Sequence, residues 1–414
     1  MKKIFFALLI SFYLSSLFAQ RLETDIPAKT FQFKFKKNDQ SRILSTVQED
    51  VYLNGRFNHT AVILNRISSV ITETDENGSG TAEAVFMTSE NSSKSWNNRI
   101  YTWGEEYESI FTRDKTGKYD ISDEYFMPTV RDVPVFPEYE VKPGDTWKGR
   151  GYEAHDLRRT FGIEKPFQFP FEATYLYRGD YTDGNERTIS LIEINYNMLF
   201  STPSIKNLPA ENVMNAPKIT TGYSHQKVYW DNERGQIDHY TEDFKIQIET
   251  FSGDVIVFTG NAHAEVTDFQ RAGTEENLKK ITKTVAELGL ENVDVKESEK
   301  GLTISIENIQ FEPDSSRLLE SEKIKLRHIA EILKSFENDL LITGHCARRG
   351  TVKMQQQISR DRAGAVAEFL TLLNVRKPEC IFTQGKGAEE PVASNSTEEG
   401  RARNRRVEIT IMDK

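Results

Sequence analysis

What most constrains this chain is a change of hydrophobic period at Gly273. From Thr30 to about Phe269 the apolar residues recur at every second position. Phe31, Phe33 and Phe35 alternate with Gln32, Lys34 and Lys36, and Phe244, Ile246 and Ile248 alternate with Lys245, Gln247 and Glu249. Side chains along a strand point to opposite faces, so this pattern predicts half-buried strands with one polar face. Beyond Gly273 the period is helical, with Leu278, Ile281, Val285 and Leu288 on one face, and later Leu326, Ile329, Ala330 and Leu333. One chain with two periods implies two folding units, an all-β one followed by an α+β one.

Turn signals punctuate the first unit at Glu76-Asn77-Gly78, Gly179-Asp180, Asp183-Gly184-Asn185, Asp231-Asn232 and Gly253-Asp254. Nine of the thirteen prolines lie between Pro128 and Pro217, which predicts loops and edge strands there rather than central strands. The alternations read as short, and the apolar face is interrupted across Gly222–Trp230. A membrane barrel needs clean alternation over strands of ~10 residues, so a sandwich or curved sheet is expected over residues 20–269, as one domain or two subdomains.

In the second unit Thr274 can cap a helix whose first turn carries Glu275 and Glu276 and which Gly289 ends. A hairpin follows across Ser298–Gly301. Then come a helix from Ser321, a strand at Leu340–Thr343, a helix through Ile358 and Leu370, and strands at Ile381–Thr383 and Arg406–Met412. The expected fold is βαβαββ, with helices on one face of a mixed sheet. Residues 270–300 are the lead-in helix and hairpin, and 301–414 the domain proper.

Lys2 and Lys3 precede an apolar run, Ile4–Phe18, that ends at Leu17-Phe18-Ala19. This is the layout of a cleaved secretory signal peptide, and the run is short of the ~20 residues a membrane span needs. No Cys follows the run, so no lipid anchor is expected. Losing both lysines leaves 51 basic against 63 acidic residues, a formal charge of −12. An acidic chain without a basic tract argues against nucleic acid as a partner. Cys346 and Cys380 fall at opposite ends of neighbouring strands if those strands run parallel, so no bridge between them is expected.

Asn308-Ile309-Gln310-Phe311 through Asp314-Ser315, then Gly344-His345, Gly350, Ile358-Ser359, Arg362, Ala363 and Gly385-Lys386-Gly387 fall in one order and spacing. The run Asn395–Ile409 closes the series. This ordered set resembles the OmpA-like domain family, over roughly residues 274–414. The resemblance implies an exported envelope protein of a diderm bacterium, periplasmic or outer-membrane associated. Its implied partner is the peptidoglycan stem peptide, beside outer-membrane or periplasmic proteins. In the family an Asp after the Gly-His turn pairs with the ligand amine, and an Arg on the next helix clamps a carboxylate.

Arg362 matches that Arg. Ala347 stands at the Asp position, Cys346 at the preceding Thr, and Gln355 at a frequent Asn. Without the acid, an amine in the groove is left unpaired at a cost of roughly 1–3 kcal/mol, about 10- to 100-fold in affinity. Arg348 and Arg349 add positive charge beside it. Binding of diaminopimelate-type peptides is therefore expected to be weak.

The seven histidines lack zinc-site spacing, and no nucleophile elbow or phosphate loop is present. No cofactor, metal or catalytic residue is therefore expected. His345 reads as a local hydrogen-bonding residue, and Pro143-Gly144-Asp145-Thr146-Trp147 as a tight turn. Tyr and Trp of the β-rich region read as core. The rival to a wall-docking protein is a carrier, in which the β domain holds an apolar ligand or a partner and the C-terminal domain is structural.

Overall fold

The computed structural model describes residues 22–92, 101–104, 106–158, 162–202, 213–267, 271–311 and 317–413. The signal-peptide expectation lies outside the described residues. The N-terminal unit contributes β1 (Gln40–Leu53), β2 (Arg56–Thr74), β3 (Gly80–Ser92), β4 (Tyr101–Thr102), β5 (Glu106–Arg113), β6 (Tyr119–Ile121) and β7 (Val130–Arg131). It continues with β8 (Thr146–His155), β9 (Phe167–Thr182), β10 (Thr188–Ser201), β11 (Pro217–Asp231), β12 (Gln236–Thr250) and β13 (Val255–Thr267). All but β4 join one antiparallel sheet of twelve strands, in the order β6-β5-β3-β2-β1-β13-β12-β11-β10-β9-β8-β7.

This is the curved-sheet form of the expected fold, curled until its edges meet. The Tyr119 amide donates to Asp132 Oδ1 at 2.7 Å, the Phe136 amide to Thr116 O at 2.8 Å, and Tyr107 Oη to Asp156 Oδ2 at 2.9 Å. The result is a nearly closed barrel, and two packed sheets are not formed.

Two local expectations are corrected. The proline-rich middle holds long central strands. Pro217 opens β11, and Pro170 lies beyond Glu172, where the β9–β10 pairing stops, so neither removes a donor from a two-sided ladder. Gly179-Asp180 is no hairpin turn but a bulge in β9, with Leu191 opposite Gly179 and Ile192 opposite Tyr177. The strands are also longer than expected, 19 residues in β2 and 15 in β11. Their inward faces carry polar Ser224 and Gln226 in place of a continuous apolar run.

Phe31, Phe33, Phe136, Trp147, Tyr175, Tyr177, Ile192, Ile194 and Trp230 pack inside the barrel. The segment from Lys29 to Lys34 closes one end, through Lys29–Val141, Phe33–Lys115 and Lys34–Gly235 backbone bonds. The Pro143–Trp147 turn does as expected. Gly144 takes φ +94°, and Trp147 Nε1 donates to Val135 O at 2.8 Å in the core. On the outer wall of β9–β12, Glu172, Thr174, Asn195, Asn197, His225, Lys227 and Asp243 are exposed along mid-strand, while Leu199 on β10 and Val85 and Ile110 on β3 and β5 are exposed apolar residues. A lipid-facing wall would need an apolar band there.

The second unit runs α1 (Glu275–Glu287), β14 (Val293–Ser298), β15 (Gly301–Glu307), α2 (Glu320–Lys334), β16 (Leu340–Gly344), α3 (Val352–Leu372), β17 (Ile381–Gly385), α4 (Glu398–Asn404) and β18 (Arg406–Met412). The sheet order is β14-β15-β18-β16-β17-β4, with β16 and β17 parallel. Thr274 caps α1 by accepting from the Asn277 amide at 3.2 Å, and Gly289 is left-handed at φ +59°. Asn308–Phe311 is not a strand. Asn308 at φ +52° ends the ladder after Glu307, and Phe311 makes only an isolated bridge with Leu318. Residues 312–316 lie outside the described residues.

Ile304, Ile306, Leu326, Ile329, Leu333, Val366, Leu370 and Ile409 form the core between sheet and helices. The opposite sheet face, carrying Leu341, Phe382 and Met412, packs on Leu64, Met87 and Trp103 of the barrel wall. There β4 pairs parallel with β17. Asp339 is buried against Arg42 and Arg66, and Arg66 lies 4.4 Å from the Phe382 ring centroid. The two units form one docked body.

Candidate functional site

The site expected from the sequence lies where β16 and β17 end together and α3 begins. Their parallel register, Leu340 opposite Ile381 and Gly344 opposite Gly385, brings the loops after both strands to one edge. Gly344 is required at that edge, because a Cβ there would lie 2.0 Å from Ser359 O on α3. The loop after β16 is pinned on three sides. The His345 amide donates to Arg406 O at 2.9 Å, the Cys346 amide to Gly387 O at 2.8 Å, and the Arg348 amide to Asn395 Oδ1 at 2.9 Å.

His345 is buried, with Nε2 at 3.3 Å from Arg406 Nη2 and 3.7 Å from Glu408 Oε2, which is the local role expected of it. Burial holds its imidazole below the ordinary histidine range, helped by the Arg406 charge and opposed by Glu408. Burial pushes Glu408 the other way, but the His345 hydrogen bond and the Arg406 charge outweigh it and hold the carboxyl well below its ordinary value.

Cys346 is buried, its Sγ 3.7 Å from Gln355 O. Burial raises its thiol pKa, against the pull of the Arg362 charge. Neither cysteine is in a disulfide, and the parallel β16 and β17 place them at opposite sheet ends, as expected. Gln355 is buried at the start of α3. Its amide donates to the carbonyls of Gly350 at 3.1 Å and Arg349 at 3.4 Å, bracing the loop from behind.

Arg362 is the group without an assigned task. Its guanidinium carbon lies 5.2 Å from the Phe311 ring centroid, and Nη1 is buried with no hydrogen-bond partner among the described residues. Burial lowers its pKa, the Cys346 sulfur raises it, and Arg405 lowers it again. A desolvated guanidinium lacking an acceptor is costly unless something supplies one, and a carboxylate fits its planar fork. Ala347 stands half-buried in the same loop with no acid to offer, and Arg348 and Arg349 are exposed beside it.

The structure thus brings Arg362, Cys346 and Ala347 together, with Gln355 bonded to the same loop. Sequence reasoning missed Phe311 as the platform under Arg362, and Asn404, which accepts from the Val392 and Ala393 amides at 2.8 and 3.0 Å. Asn404 sits in the closing segment already singled out, where its burial between loop and sheet carried no signal. Among the described residues no group of three or more His, Cys, Asp or Glu could hold a metal ion.

A mixed sheet with one parallel pair, helices on one face and an arginine-bearing edge at the parallel strand ends defines the class, an OmpA-like α+β module. Residues 310–405 match the OmpA family and form an OmpA-family domain. The curated relatives agree. Outer membrane protein A of Bordetella avium is 37% identical over 103 residues, which are 25% of this chain and 53% of that protein. Peptidoglycan-binding protein ArfA of Mycobacterium tuberculosis is 36% identical over 104 residues, 25% of this chain and 32% of that one. This chain therefore spans about half or less of those relatives. Among solved structures, the cell wall anchor of the T6SS from Pseudomonas aeruginosa is 28% identical, with TM-score 0.29, covering 32% of this chain and 96% of that one.

Proposed function

We propose that this is a non-enzymatic protein of the cell envelope that docks on peptidoglycan through the edge of its OmpA-family domain, with Arg362 holding a stem-peptide carboxylate. The observation that carries the reading is the buried Arg362 Nη1 on α3, without an acceptor among the described residues, beside a loop pinned through three backbone amides. With Ala347 in place of an acid, the ligand amine finds no counter-ion, so diaminopimelate-type peptides bind weakly. The names of the relatives, one an outer membrane protein and one peptidoglycan-binding, support envelope docking.

Export by a cleaved signal peptide, over residues 1–19, and a periplasmic setting near the outer membrane belong to the same proposal. The exposed polar residues along β9–β12 support a water-facing position for that side of the barrel. Residues 20–269 form the β domain, 270–300 the lead-in and 301–414 the docking domain. The test is sedimentation of the purified full chain with peptidoglycan sacculi from its own organism, beside Arg362→Ala. Retention lost in the variant is expected. Equal retention of both proteins would place recognition elsewhere.

A further inference from the structure

The sheet of the OmpA-family domain ends on β14, and among the described residues no strand pairs with that strand's outer side. The other sheet edge is taken by β4 of the barrel. Which backbone groups β14 leaves open follows from its ladder with β15. The Glu307 amide donates to Asn292 O at 2.8 Å, and the register sets Asp294 opposite Ser305 and Lys296 opposite Thr303. Hydrogen-bonded pairs alternate with non-bonded ones along an antiparallel ladder. Asn292, Asp294 and Lys296 therefore bond inward to β15, while Val293, Val295 and Glu297 turn their N–H and C=O groups to the open edge.

Such an edge is a template for another strand. It is held in place, because Val293 and Val295 pack on the domain core beside Ile281 and Val285. The barrel leaves it clear. Its apolar contacts fall on Leu341, Phe382 and Met412 of β16, β17 and β18, and it meets the β14–β15 hairpin at the Lys300 tip.

The side chains on the edge decide what fits it. Asp294 and Lys296 lie on one face of β14 and are both exposed. Lys296 Nζ reaches Glu408 Oε1 at 3.2 Å, yet its side chain stays 46% exposed. A second copy laid antiparallel, with a two-fold axis at Val295, bonds Val295 to its counterpart and Val293 to Glu297 on either side. Three bonded pairs then exchange about six backbone hydrogen bonds. In the non-bonded positions between them, where opposed side chains are closest, Asp294 of each chain meets Lys296 of the other. Moving the axis by one residue either way opposes Asp294 to Asp294 or Lys296 to Lys296, and like charges repel there.

We propose that two copies of this chain associate through β14, paired antiparallel about Val295. A foreign strand would have to bring the same acid–spacer–base pattern, whereas a second copy carries it by symmetry. The same charges that blunt the edge toward other strands make it complementary to itself. The contact is separate from the Arg362 site, which lies at the ends of β16 and β17, away from β14 in the sheet order.

Sedimentation velocity of the full chain across a range of concentrations is the test, and the parent should show a reversible monomer–dimer equilibrium. Asp294→Lys and Lys296→Asp each oppose like charges twice, and should weaken self-association about tenfold or more. An equimolar mixture of these two single variants restores both opposite-charge pairs and should dimerise as the parent does. Glu297→Pro gives up an N–H that faces only the open edge and an exposed contact with Arg271, so it should keep the fold and lose the dimer. Urea midpoints confirm that each variant is folded, and should Lys296→Asp fail beside Glu408, Asp294→Lys and Glu297→Pro suffice. Arg362→Ala should dimerise as the parent does, which separates this contact from wall docking. A parent that stays monomeric, a folded Asp294→Lys or Glu297→Pro that dimerises as the parent does, or a mixture of folded single variants that fails to associate would overturn the proposal.

Discussion

Asp339→Ala is expected to loosen the contact between the two domains. Asp339 is 3% exposed, and the guanidiniums it faces belong to Arg42 and Arg66, at 2% and 6%. Solvent screening therefore discounts little of their interaction. Both cations depend on it, since Arg42 Nε and Arg66 Nη1 are buried without hydrogen-bond partners among the described residues, and burial depresses both pKa values, Arg42 to about 10. Arg42 Nη1 also donates to Asp413 O at 3.2 Å. Removing the carboxylate leaves two buried like charges, a loss of roughly 3–5 kcal/mol. Replacing all three together, with Arg42→Met, Arg66→Met and Asp339→Leu, should restore most of it, because burying the charges was itself costly. Urea titration followed by tryptophan fluorescence reads the change, since Trp103 sits in this interface with its ring 5.7 Å from Phe382. A loss below about 1 kcal/mol in Asp339→Ala, or a triple variant as unstable as the single one, would refute the reasoning.

Other outcomes follow from the same geometry. Ala347→Asp should strengthen binding of a diaminopimelate-type stem peptide by about 1–3 kcal/mol in calorimetric titration, and the gain should vanish in an Arg362→Ala background. Both thiols should label in denatured, unreduced protein. In the native state Cys346 should label slowly, with its reaction shifted to higher pH, because its thiol is buried and its pKa raised. Acid should destabilise the OmpA-family domain. The folded pKa values of His345 and Glu408 are both depressed, so their contributions are full above the unfolded values, near 6.5 and 4.5, and fall as pH drops below them. Thermal melts taken from about pH 7.5 down to about pH 2.5 should show this slope, and Glu408→Gln should flatten the part below the carboxylate's unfolded value near 4.5. Residues 271–414 should melt as one cooperative unit when expressed alone, though less stably than when docked, since Leu341, Phe382 and Met412 lose their cover.

The period change at Gly273, the caps of α1 and the order of elements after it were legible because each rests on neighbours within a few residues. Thr274 and Gly289 act through their own backbone, and side chains three and four apart share a helix face whatever surrounds them. The spacing of Gly344, Arg362 and the closing segment likewise marked the OmpA-family domain before any coordinates did. Local sequence did not carry how the β strands close. Pro170 reads as a strand breaker until the register shows that β10 has already stopped beside it. Ser224 and Gln226 read as an interrupted face until Glu242 is placed opposite them, across a ladder that joins residues about sixteen apart. Arg42, Arg66 and Asp339 look like ordinary surface charges, because nothing near them in the chain reports burial, and residues some three hundred positions apart meet only when the domains dock. The sequence determined the local periods, the caps and the chemistry at Arg362, Cys346, Ala347 and Gln355. Only the tertiary structure decided that the sheet curls on itself, that Gln355 braces the loop after β16, and that Arg362 Nη1 meets no acceptor among the described residues, because each of those outcomes depends on how the chain packs around it.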